Sequence, residues 1–338
     1  MLTVTKRKLL SALLCCLLAA TATAASAAGD PAEEEAWKKE PAYGKEIKVG
    51  YNGQLCLGTF GVAQAKGFYK AEGLNTKVLR MGAENAKDVV GTGKVDVAGE
   101  HIATMLVPTV NGVRVKFTTG IHTGCKSLYV LADSDIKSTK DLVGGSIAIH
   151  DGIGASDHNI AMRFLNRDGV DPNQIKWRVA EAGVAVMAMQ KGELTAALLG
   201  DQFAKQFVDN GTLRIIRSLT FDEDFKHETC CIHVVNLDFA EKNPITVKKL
   251  TRAHEAASKW MMENPEEAVK VLQENNWASG DFDLVLEIFK TYDFGVSDEA
   301  TRETLIKTID DYKKFGLIDK NKDTGEIMAR IWDPVATK

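Results

Sequence analysis

The sequence has few cysteines and no concentration of positive charge, and both absences exclude classes of protein. Its 338 residues contain six cysteines, too few and too scattered for a disulfide scaffold in a chain of this size. Lysine and arginine are interspersed with acidic residues, no polybasic block occurs, and the formal net charge is −4. Nucleic acid and anionic membrane surfaces are therefore not expected as partners.

Long apolar runs and the common catalytic signatures are missing as well. The apolar run at 9–20 is shorter than the roughly 20 residues that a membrane-spanning helix needs. The patterns GxSxG, GxxxxGK[ST] and HExxH do not occur, so serine-hydrolase, P-loop and zinc-protease chemistry have no support. We expect no cofactor and no enzymatic activity.

The N-terminus carries the pattern of an export signal. Three basic residues at 6–8 precede the apolar run, and small residues follow at 21–28. We expect a signal peptide over residues 1–28 that is cleaved near Ala27 or Ala28, rather than a retained membrane anchor. The mature protein should then be soluble and periplasmic.

The rest of the chain divides into two similar units. Residues 29–45 are rich in Ala, Glu, Lys and Pro without apolar periodicity, which predicts a mobile N-terminus or a frayed short helix. From residue 46 short β-like runs alternate with helical ones, which is typical of parallel α/β sheets. One unit spans about 46–130 and a second about 132–225, after which the chain becomes strongly helical. The Asn-Pro pairs at 243–244 and 264–265 each predict a helix that begins at the proline and is capped by the asparagine. The sequence therefore predicts two α/β domains.

Five stretches resemble, in their order and spacing, the periplasmic solute-binding proteins of nitrate, sulfonate, taurine and thiamine-precursor importers. They are QAKGFYKAEGL at 64–74, GKVDVA at 93–98, KDLVG at 140–144, MQKGELTA at 189–196, and the two Asn-Pro pairs within 242–268. The family usually has Asp where Thr195 stands and often Glu-Pro where Asp201 and Gln202 stand. The wall of the binding pocket near residue 200 is therefore expected to differ.

The resemblance implies a type II periplasmic-binding-protein fold, with two α/β lobes, two crossing hinge strands and C-terminal helices. Lobe I would comprise residues 46–130 and 232–338, lobe II residues 131–231, and the crossing strands residues 127–131 and 229–235. It also implies a monomeric substrate-binding component of an ABC-type importer. Such a protein captures a small molecule between its lobes, here sulfonate-like or a thiamine-precursor-like heteroaromatic, and delivers it to the permease and its ATPase.

The candidate ligand-binding residues follow from the same topology, because ligands in parallel α/β sheets bind beyond the carboxyl ends of strands. They are Gln54, Cys56, Glu100, His101, His122, Thr123, His150, Asp151, Gly152, Gly154, Ser156, Asp201 and Cys230. The loop at 150–156 leads glycines into a helix and would suit an anionic group, or it is an ordinary turn with Ser156 as the helix cap. Three of the candidates are acidic and Lys126 is the nearest cation, which disfavours an inorganic anion.

Thiols and imidazoles also collect at these strand ends. Sulfur and imidazole are ligands that zinc, copper and iron prefer, so a metal or metal complex is an alternative ligand. The candidate metal ligands are Cys56, His101, His122, Cys125 and Cys230. No CxxC or HxxxH spacing supports this alternative, and the histidines could instead hydrogen-bond an organic ligand or cap a helix.

The cysteine pairing stays open. Alternation along a strand would send Cys230 and Cys231 to opposite faces, so that at most one faces the cleft. Cys125 could form a disulfide with either of them in an oxidising compartment, or all could remain free thiols.

Two further functions stay open. The eukaryotic thiamine-pyrimidine synthases resemble the same family and carry a cysteine-rich motif for iron-dependent chemistry, which HETCC at 227–231 matches in part. A ligand-sensing receptor domain that feeds a membrane sensor would share the fold.

Overall fold

The computed structural model describes residues 30–82 and 85–335, so the expected signal peptide and its cleavage site lie outside the described residues. Ten strands are formed within these ranges. They are β1 (Glu46–Tyr51), β2 (Asn75–Arg80), β3 (Val97–His101), β4 (Val115–Thr123), β5 (Lys126–Leu131), β6 (Ser146–Ile149), β7 (Lys176–Val179), β8 (Ala196–Gly200), β9 (Leu213–Ser218) and β10 (Thr229–Asn236).

The strands form two sheets with the same plan. The first sheet has the order β2-β1-β3-β10-β4, and the second the order β7-β6-β8-β5-β9. In the first, β1 is parallel to β2 and β3, while β10 runs antiparallel between β3 and β4. In the second, β6 is parallel to β7 and β8, while β5 runs antiparallel between β8 and β9. We call the first sheet with its helices lobe I and the second lobe II.

Helices surround both sheets. They are α1 (Pro31–Trp37), α2 (Gly58–Ala65), α3 (Phe68–Ala71), α4 (Ala86–Gly91), α5 (Ile102–Val110), α6 (Ser156–Arg167), α7 (Ala182–Gln190), α8 (Asp201–Asp209), α9 (Leu237–Lys242), α10 (Pro244–Glu263), α11 (Pro265–Glu274), α12 (Phe282–Phe289), α13 (Asp298–Lys314) and α14 (Thr324–Ile331). Helices α6 to α8 belong to lobe II and the others to lobe I. Among residues 30–82 and 85–335, no helix combines the length and apolar character needed to cross a bilayer.

The connections between the lobes differ from the expected crossing strands at 127–131 and 229–235. Each strand forms its hydrogen bonds within one sheet: β5 in the second and β10 in the first. The chain instead passes between lobes at Gly124 and Cys125, and returns through residues 219–228. The lobe boundaries expected at residues 130 and 231 therefore fall inside strands that the pairing assigns to the opposite lobe.

The N-terminal segment, for which the sequence predicted either a mobile stretch or a frayed short helix at 29–45, forms the short helix α1 and packs against α10. Trp37 is 5% exposed and donates its indole N–H to Thr246 Oγ1 at 2.9 Å. The Glu40 carboxylate accepts the backbone N–H groups of Ile245 and Thr246 at 2.6 and 2.8 Å. Because these N–H groups open α10 and have no partner within the helix, Glu40 serves as their cap.

Helices α10 and α11 begin at Pro244 and Pro265, where the Asn-Pro pairs predicted them. The preceding asparagines were expected to cap these helices, but their side chains form no capping hydrogen bond. Asn243 and Asn264 instead donate through Nδ2 to the carbonyls of Phe239 and Trp260, at 2.9 and 3.0 Å. They therefore satisfy the carboxyl ends of the helices before them, while Glu40 supplies the cap of α10.

Candidate functional site

A cavity of about 630 Å³ lies between the two lobes, at the carboxyl ends of their strands. Lobe I contributes the turn after β1 at 53–56, His101 at the end of β3, and the segment 278–284 before and within α12. Lobe II contributes Gly200 at the end of β8 and the first turns of α8. Both lobes therefore form the walls, as expected for a cleft that holds a ligand between them.

Direct contacts join the two walls beside the cavity. Gln202 in α8 donates through Nε2 to the carbonyl of Ser279 at 3.0 Å. Lys205, one turn further along α8, forms an ion pair with Glu287 of α12 at 3.1 Å. These two contacts hold a lobe II helix against a lobe I helix.

The floor of the cavity is a cluster of thiols and an imidazole, which we call the Cys₃His cluster. It consists of Cys56, His101, Cys125 and Cys231, whose ligand atoms all lie within 4.8 Å of one another. The Cys125 Sγ is 3.5 Å from His101 Nε2. A further thiol, Cys230, lies against the cluster with its Sγ 3.4 Å from that of Cys125. All four cysteines of the described residues are free thiols.

Local backbone geometry brings these residues together from separate elements. Cys125 has a φ of 91°, following Gly124 at 83°, and its N–H is held by Thr220 Oγ1 at 2.9 Å. A positive φ at a residue other than glycine costs about 1–3 kcal/mol, so the surrounding contacts hold the turn in place. The pairing of β10 with β4 shifts register on both sides of Cys231. Cys231 belongs to the Cys₃His cluster, whereas Cys230 lies outside it with its Sγ 3.4 Å from that of Cys125.

Burial keeps most of the cluster uncharged. It lowers the pKa of His101 from 6.5 to about 4, so the imidazole is neutral at pH 7. It raises the pKa of Cys125 to about 11 and that of Cys231 well above 9. Cys230, which lies beside the cluster, differs, because hydrogen bonding with Cys125 lowers its pKa to about 6.

The glycine loop at 150–156 does not present an open anion site. Lys126 Nζ reaches Asp151 Oδ2 at 3.0 Å and Ser156 Oγ at 2.9 Å, and it also pairs with Asp157. The second oxygen of Asp157 accepts the backbone N–H of His150 at 2.8 Å. Burial alone would lower the pKa of Lys126, but Asp157 and Asp151 raise it well above 10.5, so the ammonium is fully charged. The chain's own carboxylates therefore occupy the position expected for an acidic ligand group.

The other residues of that loop lie away from the cavity lining. The His150 ring is half-exposed and pairs with Glu181, with 3.1 Å between Nδ1 and Oε2. Gly152 and Gly154 have φ values of 91° and 81° and shape the turn before α6. Ser156 is buried in the network of Lys126 rather than capping the helix.

His122, Thr123 and Asp201 were also expected in the cleft but lie behind its surface. His122 is buried, donates through Nδ1 to the Thr123 carbonyl at 2.7 Å, and packs on the Tyr292 ring with 5.4 Å between centroids. Asp201 is buried at the start of α8, where it accepts from the Tyr129 hydroxyl at 2.7 Å. These residues support the wall and do not line it. The expectation of His122 as a metal ligand fails for the same reason, since the ring is outside the Cys₃His cluster.

Glu100 is fully buried in β3, next to His101. Burial raises its pKa well above 4.5. Of the candidate ligand-binding residues, Gln54, Cys56 and His101 line the cavity directly.

The wall contributed by α12 and the segment before it was not predicted from the sequence. Ser279, Gly280, Asp281, Leu284 and Tyr292 line the cavity, as does Phe203 of α8. Aromatic residues in packing helices are by default expected in the core or at its rim, so Tyr292 gave no signal of a cavity wall. The sequence did offer one signal of this wall. Ser279-Gly280-Asp281 is a polar turn that ends in a helix N-cap residue, and it interrupts a region of amphipathic helices.

The two sheets, their crossing connections and the interlobe cavity define a periplasmic-binding-protein fold. The alkanesulfonate-binding protein SsuA from Xanthomonas axonopodis pv. citri, solved with MOPS, matches with a TM-score of 0.70 at 15% identity, over 87% of this chain and 99% of that one. The periplasmic nitrate-binding protein NrtA from Synechocystis PCC 6803 matches with a TM-score of 0.71 at 16% identity, over 85% and 86%. At these identities the likeness establishes the shared fold, as the sequence predicted.

Residues 58–268 match the family model described as NMT1/THI5 like, and the chain belongs to this family. The 4-amino-5-hydroxymethyl-2-methylpyrimidine phosphate synthases THI5 and THI12 of Saccharomyces cerevisiae are each 25% identical to it over 232 residues. The match covers 62% of this chain and 64% of each synthase, so the chain spans less than two thirds of these relatives.

Proposed function

We propose that this protein is the periplasmic substrate-binding component of an ABC-type importer, and that it captures a small, uncharged heteroaromatic molecule between its lobes. The observation that carries this proposal is the cavity of about 630 Å³ with walls from both lobes. Its volume falls within the roughly 300–1,000 Å³ of small-molecule sites. Release to a membrane permease and its ATPase, as a monomer and without chemical change of the solute, completes the proposed role.

Closure of the lobes would signal that the solute is bound. A solute that touches the turn at 53–56 and also α8 gains contacts in the closed state that the open state cannot offer. Only such a difference in affinity can shift the equilibrium between the two states. The contacts of Gln202 and Lys205 across the cleft support closure, but they are few enough to separate for release.

The charges at the cavity favour an uncharged solute over a sulfonate. Among the described residues that line the cavity, Lys126 is the one with a cationic side chain, and two carboxylates already neutralise it. An anion would therefore lose its hydration shell without gaining a free cation in exchange. Phe203 and Tyr292 offer aromatic surfaces, and the amides of Gln54 and Gln206 offer donors and acceptors. This combination suits a polar ring such as the aminopyrimidine named in the yeast relatives.

The first test compares the masses of the native and denatured protein after purification without denaturation, because a co-purified solute adds its own mass to the native form. Calorimetry on protein stripped of solute then compares 4-amino-5-hydroxymethyl-2-methylpyrimidine with MOPS. We expect the pyrimidine to bind with one-to-one stoichiometry and MOPS to give no heat. Recovery of the pyrimidine unchanged after incubation would separate capture from catalysis.

Two phenylalanines of α8 provide a matched pair of variants. Phe203 lines the cavity, whereas Phe207 packs beside it, with 5.4 Å between ring centroids, outside the lining. Phe203→Ala should weaken pyrimidine binding about tenfold, equivalent to about 1.4 kcal/mol. Phe207→Ala should leave the affinity unchanged. Equal effects of the two substitutions, or an organic anion as the co-purified solute, would contradict the proposed site or its ligand class.

A further inference from the structure

The Cys₃His cluster has the composition and spacing of a metal centre. We infer that Cys56, His101, Cys125 and Cys231 bind one divalent metal ion of the zinc class at the floor of the cleft. This goes beyond the proposed capture of a solute, because the ion is a resident of the floor and leaves most of the cavity free. Capture could hold without it, and the ion could bind without any solute.

The distances fit tetrahedral coordination. With Zn–S bonds of about 2.3 Å and Zn–N bonds of about 2.0–2.1 Å, ligand sulfurs lie about 3.8 Å apart and a sulfur and a nitrogen about 3.5 Å apart. The ligand atoms here lie within 4.8 Å of one another, and Cys125 Sγ is already 3.5 Å from His101 Nε2. Small side-chain rotations would therefore close the cluster around an ion, without movement of the strands.

The origin of the four residues also distinguishes the cluster from ordinary buried cysteines. They come from the turn after β1, the end of β3, the crossing between β4 and β5, and β10. Cysteines that served only as small buried side chains of the core would not be expected to surround one imidazole. Three thiols and an imidazole form a closed, four-coordinate set, which is the usual composition of structural zinc sites.

An ion also has a route to the cluster. Cys56, His101 and Cys125 line the cavity, while Cys231 is fully buried beneath them. A hydrated ion can therefore enter through the cleft and exchange its waters for protein ligands. Cys230 stands apart from the four: its Sγ is 3.4 Å from that of Cys125, but it is not in the set that converges.

The test uses the full mature protein after chelator treatment, with a phosphine reductant present and all thiols verified free by intact mass. Titration with Co²⁺ should give thiolate charge-transfer bands and the d–d bands of tetrahedral cobalt, and should saturate at one equivalent. Zn²⁺ should then displace Co²⁺ stoichiometrically. Wild-type protein that develops no tetrahedral cobalt spectrum under these conditions would overturn the inference.

Variants then assign the ligands. Cys56→Ser and His101→Asn act at the cavity surface, and each should weaken Zn²⁺ binding at least 100-fold, measured against a chromophoric chelator. Cys231→Ser should weaken Zn²⁺ binding by the same factor. Because Cys231 is fully buried, circular dichroism must first show that this variant is folded. Cys230→Ser and His150→Asn remove a neighbouring thiol and a distant imidazole, and both should retain the affinity of the wild type.

The outcomes separate the alternatives. Unchanged Zn²⁺ affinity in folded Cys56→Ser and His101→Asn would place the ion elsewhere and overturn the site. Loss of binding in Cys230→Ser but not in Cys231→Ser would overturn the proposed ligand set. Neither result bears on solute capture, since the Phe203 variants and the co-purified mass test that independently.

Discussion

The pair of buried histidines in lobe I makes a prediction about pH that can be worked through in full. His233 in β10 and His254 in α10 face each other with 3.4 Å between their Nδ1 atoms, and both side chains are at most 2% exposed. His254 also contacts the Tyr69 hydroxyl through Nε2 at 2.5 Å. Burial lowers the pKa of His233 from 6.5 to about 3, so the folded protein keeps this ring neutral through most of the acidic range.

The sign follows from the difference in bound protons. Below pH 6.5 the unfolded chain takes up a proton at His233 and the folded protein does not, so the free energy of unfolding falls as the pH falls. The loss begins near pH 6.5 and continues to about pH 3, where the folded ring also protonates. Between pH 7.5 and pH 5.0 this one histidine should remove about 2 kcal/mol from the free energy of unfolding.

The assay is urea unfolding of the wild type and of His233→Gln at pH 7.5 and pH 5.0. Any effect of the substitution that does not depend on pH cancels when the free energies of unfolding at the two pH values are subtracted. The wild type should lose about 2 kcal/mol more than the variant. Ile232→Val, in the same strand, removes a buried methylene and should cost about 0.5–1.5 kcal/mol equally at both pH values. Identical pH dependence in wild type and His233→Gln would refute the assignment of a buried, neutral His233.

Three further substitutions test other parts of the structure. Glu100→Gln should raise the free energy of unfolding relative to the wild type as the pH rises above 4.5, because burial keeps the native carboxyl protonated in the folded protein. The difference should grow by about 1.4 kcal/mol per pH unit until the folded carboxyl ionises. A difference in urea unfolding that does not change with pH would contradict this. Arg163→Met should cost about 3–5 kcal/mol in chemical denaturation, because it leaves the buried Glu228 carboxylate without a cation and removes the nearest cation from the buried Asp311. Met at the exposed Arg302 should cost under about 0.5 kcal/mol. Trp37→Ala should cost about 3–5 kcal/mol in the same assay, and an unchanged midpoint would restore the expectation of a mobile N-terminus.

The fold could be predicted from the sequence because its signals are local and repeated. The alternation of strands and helices in two series located both sheets, and proline located the starts of α10 and α11. The residues at which the chain passes between the lobes could not be predicted, because the sequence pattern of a strand such as β5 does not depend on which sheet the strand joins. Its hydrogen bonds with β8 and β9 are long-range choices that single-strand patterns do not encode.

The candidate site was predicted in part, and the errors have identifiable physical causes. Gln54 and Cys56 follow β1 and His101 ends the parallel strand β3, so all three lie at the same edge of the sheet and line the cavity. The glycine loop at 150–156 has the backbone of an anion site, but whether side chains of the same protein fill it depends on tertiary contacts of Lys126. Cys230 was expected at the cleft, but Cys231 is the member of the pair in the cluster, because alternation along one strand does not say which of its two faces meets the neighbouring elements.

The Cys₃His cluster and the hinge share a residue, and this links the two proposed binding events. Cys125 lies at the connection where the chain passes from β4 in lobe I to β5 in lobe II, and it also lies in the floor of the cavity. An ion that fixes Cys125 against His101 would bias the angle between the lobes, and so would a solute that contacts both walls. If both favour the closed state, each must raise the affinity of the other by the same factor, because coupling free energies are reciprocal.

Calorimetric titration of the pyrimidine with and without Zn²⁺, and of Zn²⁺ with and without the pyrimidine, measures both factors. Equal factors above one would show that the ion favours the closed state, whereas factors of one would show that the metal centre stabilises lobe I without affecting closure.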